Sequence, residues 1–159
     1  MKLRQLGDLA NLVAGVGVIT SLLFVAYEIN QNTKASLVAN RHDVIAALRE
    51  HLLVRAQSPS LAAAIAAAAS EAELTSAQQS QYFAYLLAVI KSVEEAYFQY
   101  EEGALDKEYL DTRMAGLMNS HFLGNELGHA FFEQNKKRGE ITEAFARTVD
   151  AEFARMDED

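Results

Sequence analysis

Glu126-Leu127-Gly128-His129 sets a carboxylate and an imidazole three residues apart, which on a helix puts both on one face, as in di-iron carboxylate proteins. Such a site takes a second Glu-x-x-His and two further glutamates from facing helices. No second pair exists, because Ala39, Leu48 and Met118 stand three residues before His42, His51 and His121. His129 therefore reads as a helix-surface histidine paired with Glu126 or Glu133, and no metal or other cofactor is expected. Glu94, Glu95, Glu101 and Glu102 crowd a second place, beside Tyr97 and Tyr100. Paired carboxylates can act as acid and base, but no nucleophile or histidine is tied to these, so they read as a solvated helix face. Glu94 is the least ordinary of the four, one turn after Ile90 at the margin of an apolar stripe.

Other chemistries lack their residues. Cysteine is absent, no serine sits in a Gly-x-Ser-x-Gly turn, and no glycine-rich loop could cradle phosphate. A formal charge of -8, with Lys136-Lys137-Arg138 as the densest basic run, argues against a nucleic-acid partner. Half of the 159 residues are apolar, alanine is prominent and Pro59 is the single proline, which is the balance of a helical protein.

The dominant element is Leu9 to Tyr27, nineteen consecutive uncharged residues between Asp8 and Glu28. As a helix it covers roughly 28 Å, close to the roughly 30 Å hydrocarbon core of a bilayer. Its ten Leu, Ile, Val and Phe residues favour insertion by roughly 3 to 6 kcal/mol before Asn11, Thr20, Ser21 and the glycines subtract from that. Val25-Ala26-Tyr27-Glu28 offers no small-x-small cleavage site, so an uncleaved anchor is the better reading than a signal peptide. A buried helix of a soluble protein or of an oligomer is the remaining alternative. Ala10, Ala14, Gly17 and Ser21 fall at i, i+4, i+7 and i+11, a small-residue face suited to helix–helix contact. Lys2 and Arg4 before the anchor are matched by Lys34 and Arg41 after it, so basic residues leave the orientation tied. Gln31-Asn32-Thr33 is directed to lipid, water or a partner helix.

Helical spacing continues through Ile29, Leu37, Val38, Val44, Ile45, Leu48 and Leu52 to about Arg55. Ser58 and Pro59 then suit the N-cap and first position of a second, alanine-rich helix, a short connector against larger neighbours. A third helix runs from Thr75-Ser76 to Gly103, with Phe83, Leu86, Leu87, Ile90, Val93, Tyr97 and Tyr100 as its buried stripe and Tyr82 and Phe98 widening it. Asp106 caps a fourth helix to about Phe122. Gly124 and Asn125 break it before a fifth that ends at Gly139, and Thr142 caps a sixth with Phe145, Val149, Phe153 and Met156 inward.

Two stretches carry a family likeness. Thr20 to Tyr27 followed by Ile29-Asn30-Gln31-Asn32-Thr33-Lys34-Ala35, and Glu94 to Asp106, with its Glu-x-x-Tyr-x-Gln-Tyr-x-x-Gly-x-Leu-Asp pattern, resemble a family of small uncharacterised bacterial proteins. The closing stretch Phe145 to Phe153 is similar as well. The resemblance implies one N-terminal membrane helix, an I-x-Q-N-T-(K/R)-A junction and a helical domain, and no activity. A more basic junction than Glu28 and Asn30 provide would imply a cytoplasmic domain.

The expected fold is all-α, an N-terminal transmembrane helix continuing into a small bundle of about five further helices. Residues 1–30 form the anchor and 31–159 the helical domain. The function that follows is a single-pass, inner-membrane interaction, assembly or accessory subunit without catalysis. Its expected partners are the lipid bilayer and either itself or a larger membrane complex. The alternative is a ligand-binding or metal-dependent helical enzyme domain, with a site among Tyr97, Tyr100, Glu101, Glu126 and His129.

Overall fold

The computed structural model describes residues 3–156, with side chains described from Asn11 onward. Among the described residues the chain is all-α, with helices α1 (Leu3–Gln57), α2 (Pro59–Ala69), α3 (Ser76–Glu101), α4 (Lys107–Leu117), α5 (Glu126–Lys137) and α6 (Glu143–Met156). It divides into two compact units, Met1–Ala39 and Asn40–Asp159.

The described residues of the first unit are helix alone. Asn11–Gln57 contains a stretch long and apolar enough to cross a membrane, near the N-terminus, and none of that stretch is buried. Its hydroxyls are satisfied locally: Thr20 Oγ1 donates to the Val16 carbonyl at 2.8 Å and Ser21 Oγ to the Gly17 carbonyl at 2.9 Å. In hydrocarbon, where no water is on hand, such back-bonding lowers the penalty of a polar side chain. Beyond the apolar run Thr33 Oγ1 likewise donates to the Ile29 carbonyl at 2.9 Å, and Gln31 Nε2 donates to the Tyr27 hydroxyl at 2.6 Å. Gln31 and Thr33, expected to face lipid, water or a partner, thus find partners in their own helix.

The second unit is built around α3. Tyr82, Leu86, Val89, Ile90 and Val93 are buried from it, while Phe83 and Tyr97 at the ends of the stripe are half-buried. Its start is fixed by a capping box in which Thr75 accepts from Gln78 N and Gln78 accepts from Thr75 N. Gly103, at φ +72°, lets the chain turn back after α3 in a conformation that glycine adopts without strain. Ser58 caps α2 by accepting from Leu61 N, with Pro59 at the first helical position. From α2, Leu61, Ala64, Ile65 and Ala68 enter the core, the alanines giving close approach and the two larger residues the apolar area. The core is completed by Met114 and Leu117 of α4, Phe132 of α5, and Phe145 and Val149 of α6. A smaller cluster joins Val44 of α1 to Ala96, Leu105 and Leu110.

Three expectations are corrected. Helix α4 ends at Leu117 rather than near Phe122, because residues 118–125 form a tight connection held by Asn125. Asp106 stands at the N-cap of α4 but makes no side-chain cap bond; its carboxylate is paired with Arg41. Met156, expected inward on α6, is 51% exposed, whereas Phe145 and Val149 are buried. The inward stripe of α6 fades at half-buried Phe153.

Candidate functional site

The residue types singled out for metal chemistry do not converge. Glu126 and His129 lie on α5, both exposed, and the His129 ring stacks on Phe153 with centroids 4.2 Å apart. Neither Glu126 nor Glu133 forms an ion pair with His129 among the described residues; Glu133 instead pairs with Lys136. No group of three or more His, Asp or Glu side chains comes together there. Tyr97 and Tyr100 are half-buried near the end of α3, and Glu101 is exposed. On α1, Ala14, Gly17 and Ser21 are exposed, and a Cβ built at Gly17 meets nothing within 4 Å. The Ala10 side chain lies outside the described residues.

The glutamate cluster separates into two kinds. Glu95, Glu101 and Glu102 are exposed, as a solvated face requires, but Glu94 is only 5% exposed. Its carboxylate accepts from Lys91 Nζ at 2.8 Å and from Thr142 N at 2.8 Å. Burial pushes the carboxyl pKa up, and the bonds from Lys91 and Thr142 outweigh that and hold it below its ordinary value. The group therefore helps to start α6, accepting from a backbone N–H next to the helix and facing its positive end.

A second polar knot secures the connection between α4 and α5. Asn125 caps α5 by accepting from Gly128 N at 2.8 Å, and its Nδ2 donates to the Tyr82 hydroxyl at 3.0 Å and to the Ser120 and Phe122 carbonyls at 2.8 Å. Burial raises the Tyr82 pKa, opposed by the bond from Asn125. With these buried groups bonded to one another the knot holds the connection in place.

What remains unaccounted for is Arg113. It belongs to the buried face of α4, with Leu110, Met114 and Leu117, and is 8% exposed. Nη2 donates to Ser92 Oγ at 2.9 Å, while Ser92 itself donates to the Val89 carbonyl at 2.8 Å. Nε is buried without a partner, and the described residues give Arg113 no carboxylate. Buried charges are ordinarily paired, since desolvation of an isolated ion costs several kcal/mol.

Arg113 lines a cleft of about 260 Å³. Leu48, His51, Leu52 and Arg55 of α1 form one wall, Tyr85, Val89 and Val93 of α3 another, and Leu117 and Phe122 close it. The Tyr85 hydroxyl donates to the His51 carbonyl at 2.9 Å and its ring meets the His51 ring edge-on, with centroids 5.8 Å apart. Burial and then the Arg113 charge lower the His51 pKa, with Glu50 opposing them. Tyr85 is pushed up by burial and drawn back by Arg55 and Arg113. Burial also pulls Arg113 below its ordinary value, yet a guanidinium remains charged at neutral pH. The cleft is thus apolar-walled, holds a fixed positive charge and contains no counter-ion from the described chain.

Sequence reasoning missed this residue, although its position was informative. Arg113 falls three after Leu110 and four before Leu117, so the same period that puts those leucines inside puts the arginine inside with them. No family model, curated protein or solved structure matches the chain.

Proposed function

We propose that the chain is a single-pass protein of a bacterial inner membrane, anchored by Leu9 to Tyr27, whose helical domain serves as an interaction, assembly or accessory subunit without catalysis. The observation that carries this reading is the exposure of the anchor. Its ten large apolar side chains from Leu12 to Tyr27 stand between 49 and 66% exposed, on every side of the helix. A helix that is apolar all round belongs in a protein core or a membrane, and exposed apolar patches far beyond a few hundred Å² are rare on soluble monomers.

Association with itself or with a larger membrane complex is supported by the small-residue face of Ala14, Gly17 and Ser21. The open space around Gly17 leaves room for another backbone. The likeness of the 29–35 junction and of the 94–106 segment to small bacterial proteins with one membrane helix supports the same layout.

Carbonate extraction of expressed protein tests the anchor, and a membrane-association assay tests the face. The wild-type chain should resist extraction. Gly17→Leu should weaken self-association while Ile19→Leu, on another face, should not. Release of the wild type as freely as a soluble protein, or equal behaviour of the two variants, would remove the anchor or the contact face respectively.

A further inference from the structure

We infer that the cleft around Arg113 binds a small carboxylic acid with a short apolar tail, the carboxylate taken by the guanidinium and the tail lying along Leu48, Leu52, Val89, Val93 and Leu117. The inference is independent of the membrane reading. It rests on a cation that is more than nine-tenths buried, whose Nη2 bonds the neutral Ser92 hydroxyl rather than a carboxylate, and which lines a cavity with apolar walls. A buried guanidinium without a carboxylate from its own chain is an incomplete ion pair, and a ligand carboxylate completes it through charge-assisted hydrogen bonds.

Charge and size narrow the ligand class. One buried guanidinium neutralises one negative charge. The other basic groups around the cleft are Arg55, half-buried, and His51, whose imidazole is disfavoured as a cation by burial and by Arg113 itself. The apolar walls then favour a carboxylate that carries an apolar tail over a compact, strongly hydrated anion such as phosphate. A cleft of about 260 Å³ is small for a ligand site, which suits a short-chain acid, and the walls offer the methylenes of a six-carbon carboxylate an apolar surface. Tyr85 lines one side of the cleft, and its hydroxyl proton is already donated to the His51 carbonyl rather than offered to a ligand.

The test titrates hexanoate carrying a carbon-13 carboxyl label into the full chain held in nanodiscs of zwitterionic lipid, with empty nanodiscs as reference. The wild type should give a saturable shift of the carboxyl resonance. Arg113→Met and, separately, Leu48→Trp, which narrows the cleft from a partly exposed position, should each weaken binding at least tenfold. Hexanol, acetate and inorganic phosphate at equal concentration should not displace the ligand. Arg113→Met should also raise Tm, because it removes a charge the empty fold leaves unpaired; a structural arginine would lower it. The proposal is overturned by a wild-type shift no different from empty nanodiscs, by unchanged affinity in either variant, or by displacement with acetate or phosphate, which would leave a bare anion site. Should Arg113→Met fail to fold, the Leu48→Trp result decides alone.

Discussion

Glu94 Oε1 accepts a 2.8 Å hydrogen bond from the backbone N–H of Thr142, forty-eight positions further along the chain. One carboxylate on the central helix thereby fixes where the last helix begins, and Lys91 holds it in place from one turn away.

Removing that carboxylate tests its role. Glu94→Ala should cost roughly 1 to 3 kcal/mol, the range for stripping a partner from a buried polar group, and should lower Tm by several degrees. Glu95→Ala, one residue on and exposed, should stay within about 0.5 kcal/mol. Thermal melts of the two variants make the comparison, and equal behaviour would return Glu94 to the solvated face.

Acid should weaken the same contact. Because Glu94 is held below its ordinary value of 4.5, its contribution is complete above that pH and is lost as pH falls through the folded value. Wild-type stability measured by urea unfolding should therefore decline below about pH 4.5 more steeply than that of Glu94→Gln. Identical acid limbs would show that the carboxylate has no favoured charge in the fold.

Ile90 supplies the packing test. It is fully buried at the centre of the α3 stripe, so Ile90→Ala leaves a cavity and should cost roughly 2 to 5 kcal/mol. That is a large share of the 5 to 15 kcal/mol expected of a whole domain, roughly speaking, and a calorimetric scan would register it plainly. A silent substitution would mean that the stripe faces elsewhere.

Gly128 should reverse a familiar rule. Glycine to alanine inside a helix ordinarily stabilises by roughly 0.5 to 1 kcal/mol. Here a Cβ would run into the Phe122 carbonyl and lie 3.1 Å from the Tyr82 hydroxyl, against the knot that caps α5. Gly128→Ala should therefore destabilise the fold, and a raised Tm in that variant would contradict the close approach.

For the anchor, Val18→Asp near the middle of the span should cost about 2.5 to 3.5 kcal/mol of insertion, comparable with the whole margin, and release the chain from the membrane fraction. Retention of the variant in carbonate-washed membranes would show that the segment draws on something other than its own apolarity.

The elements were legible because each carries its own period and punctuation. Ser58-Pro59 and Thr75 mark helix starts that the structure uses, Gly124-Asn125 marks the break before α5, and Leu86, Ile90 and Val93 repeat at spacings that leave one face to bury. Asp106 looked like a cap by the same local logic, but Arg41, sixty-five residues away, holds its carboxylate. Glu94 was noticed at the margin of a stripe, while its partner at Thr142 lies beyond any local pattern. The Arg113 cleft was not found because a charged residue on an apolar face reads as an interruption until the walls around it are in place. Tyr85 carries no local pattern for a related reason, as its acceptor, the His51 carbonyl, has no sequence signature.

The alanine-rich helix α2 has a consequence for how the sequence can drift. Ala64 is fully buried and Ala68 nearly so, each pressed between larger neighbours in a close-packed interior. Single-nucleotide changes carry an alanine codon to valine, threonine, serine, proline, glycine, aspartate or glutamate, nearly all of them larger, more polar or unfit for a helix interior. Overpacking alone costs roughly 1 to 3 kcal/mol. A stretch that resembles low-complexity filler thus holds two positions that admit little besides alanine, and random mutagenesis scored for folded protein should leave Ala64 and Ala68 standing while exposed Ala63 and Ala66 vary freely.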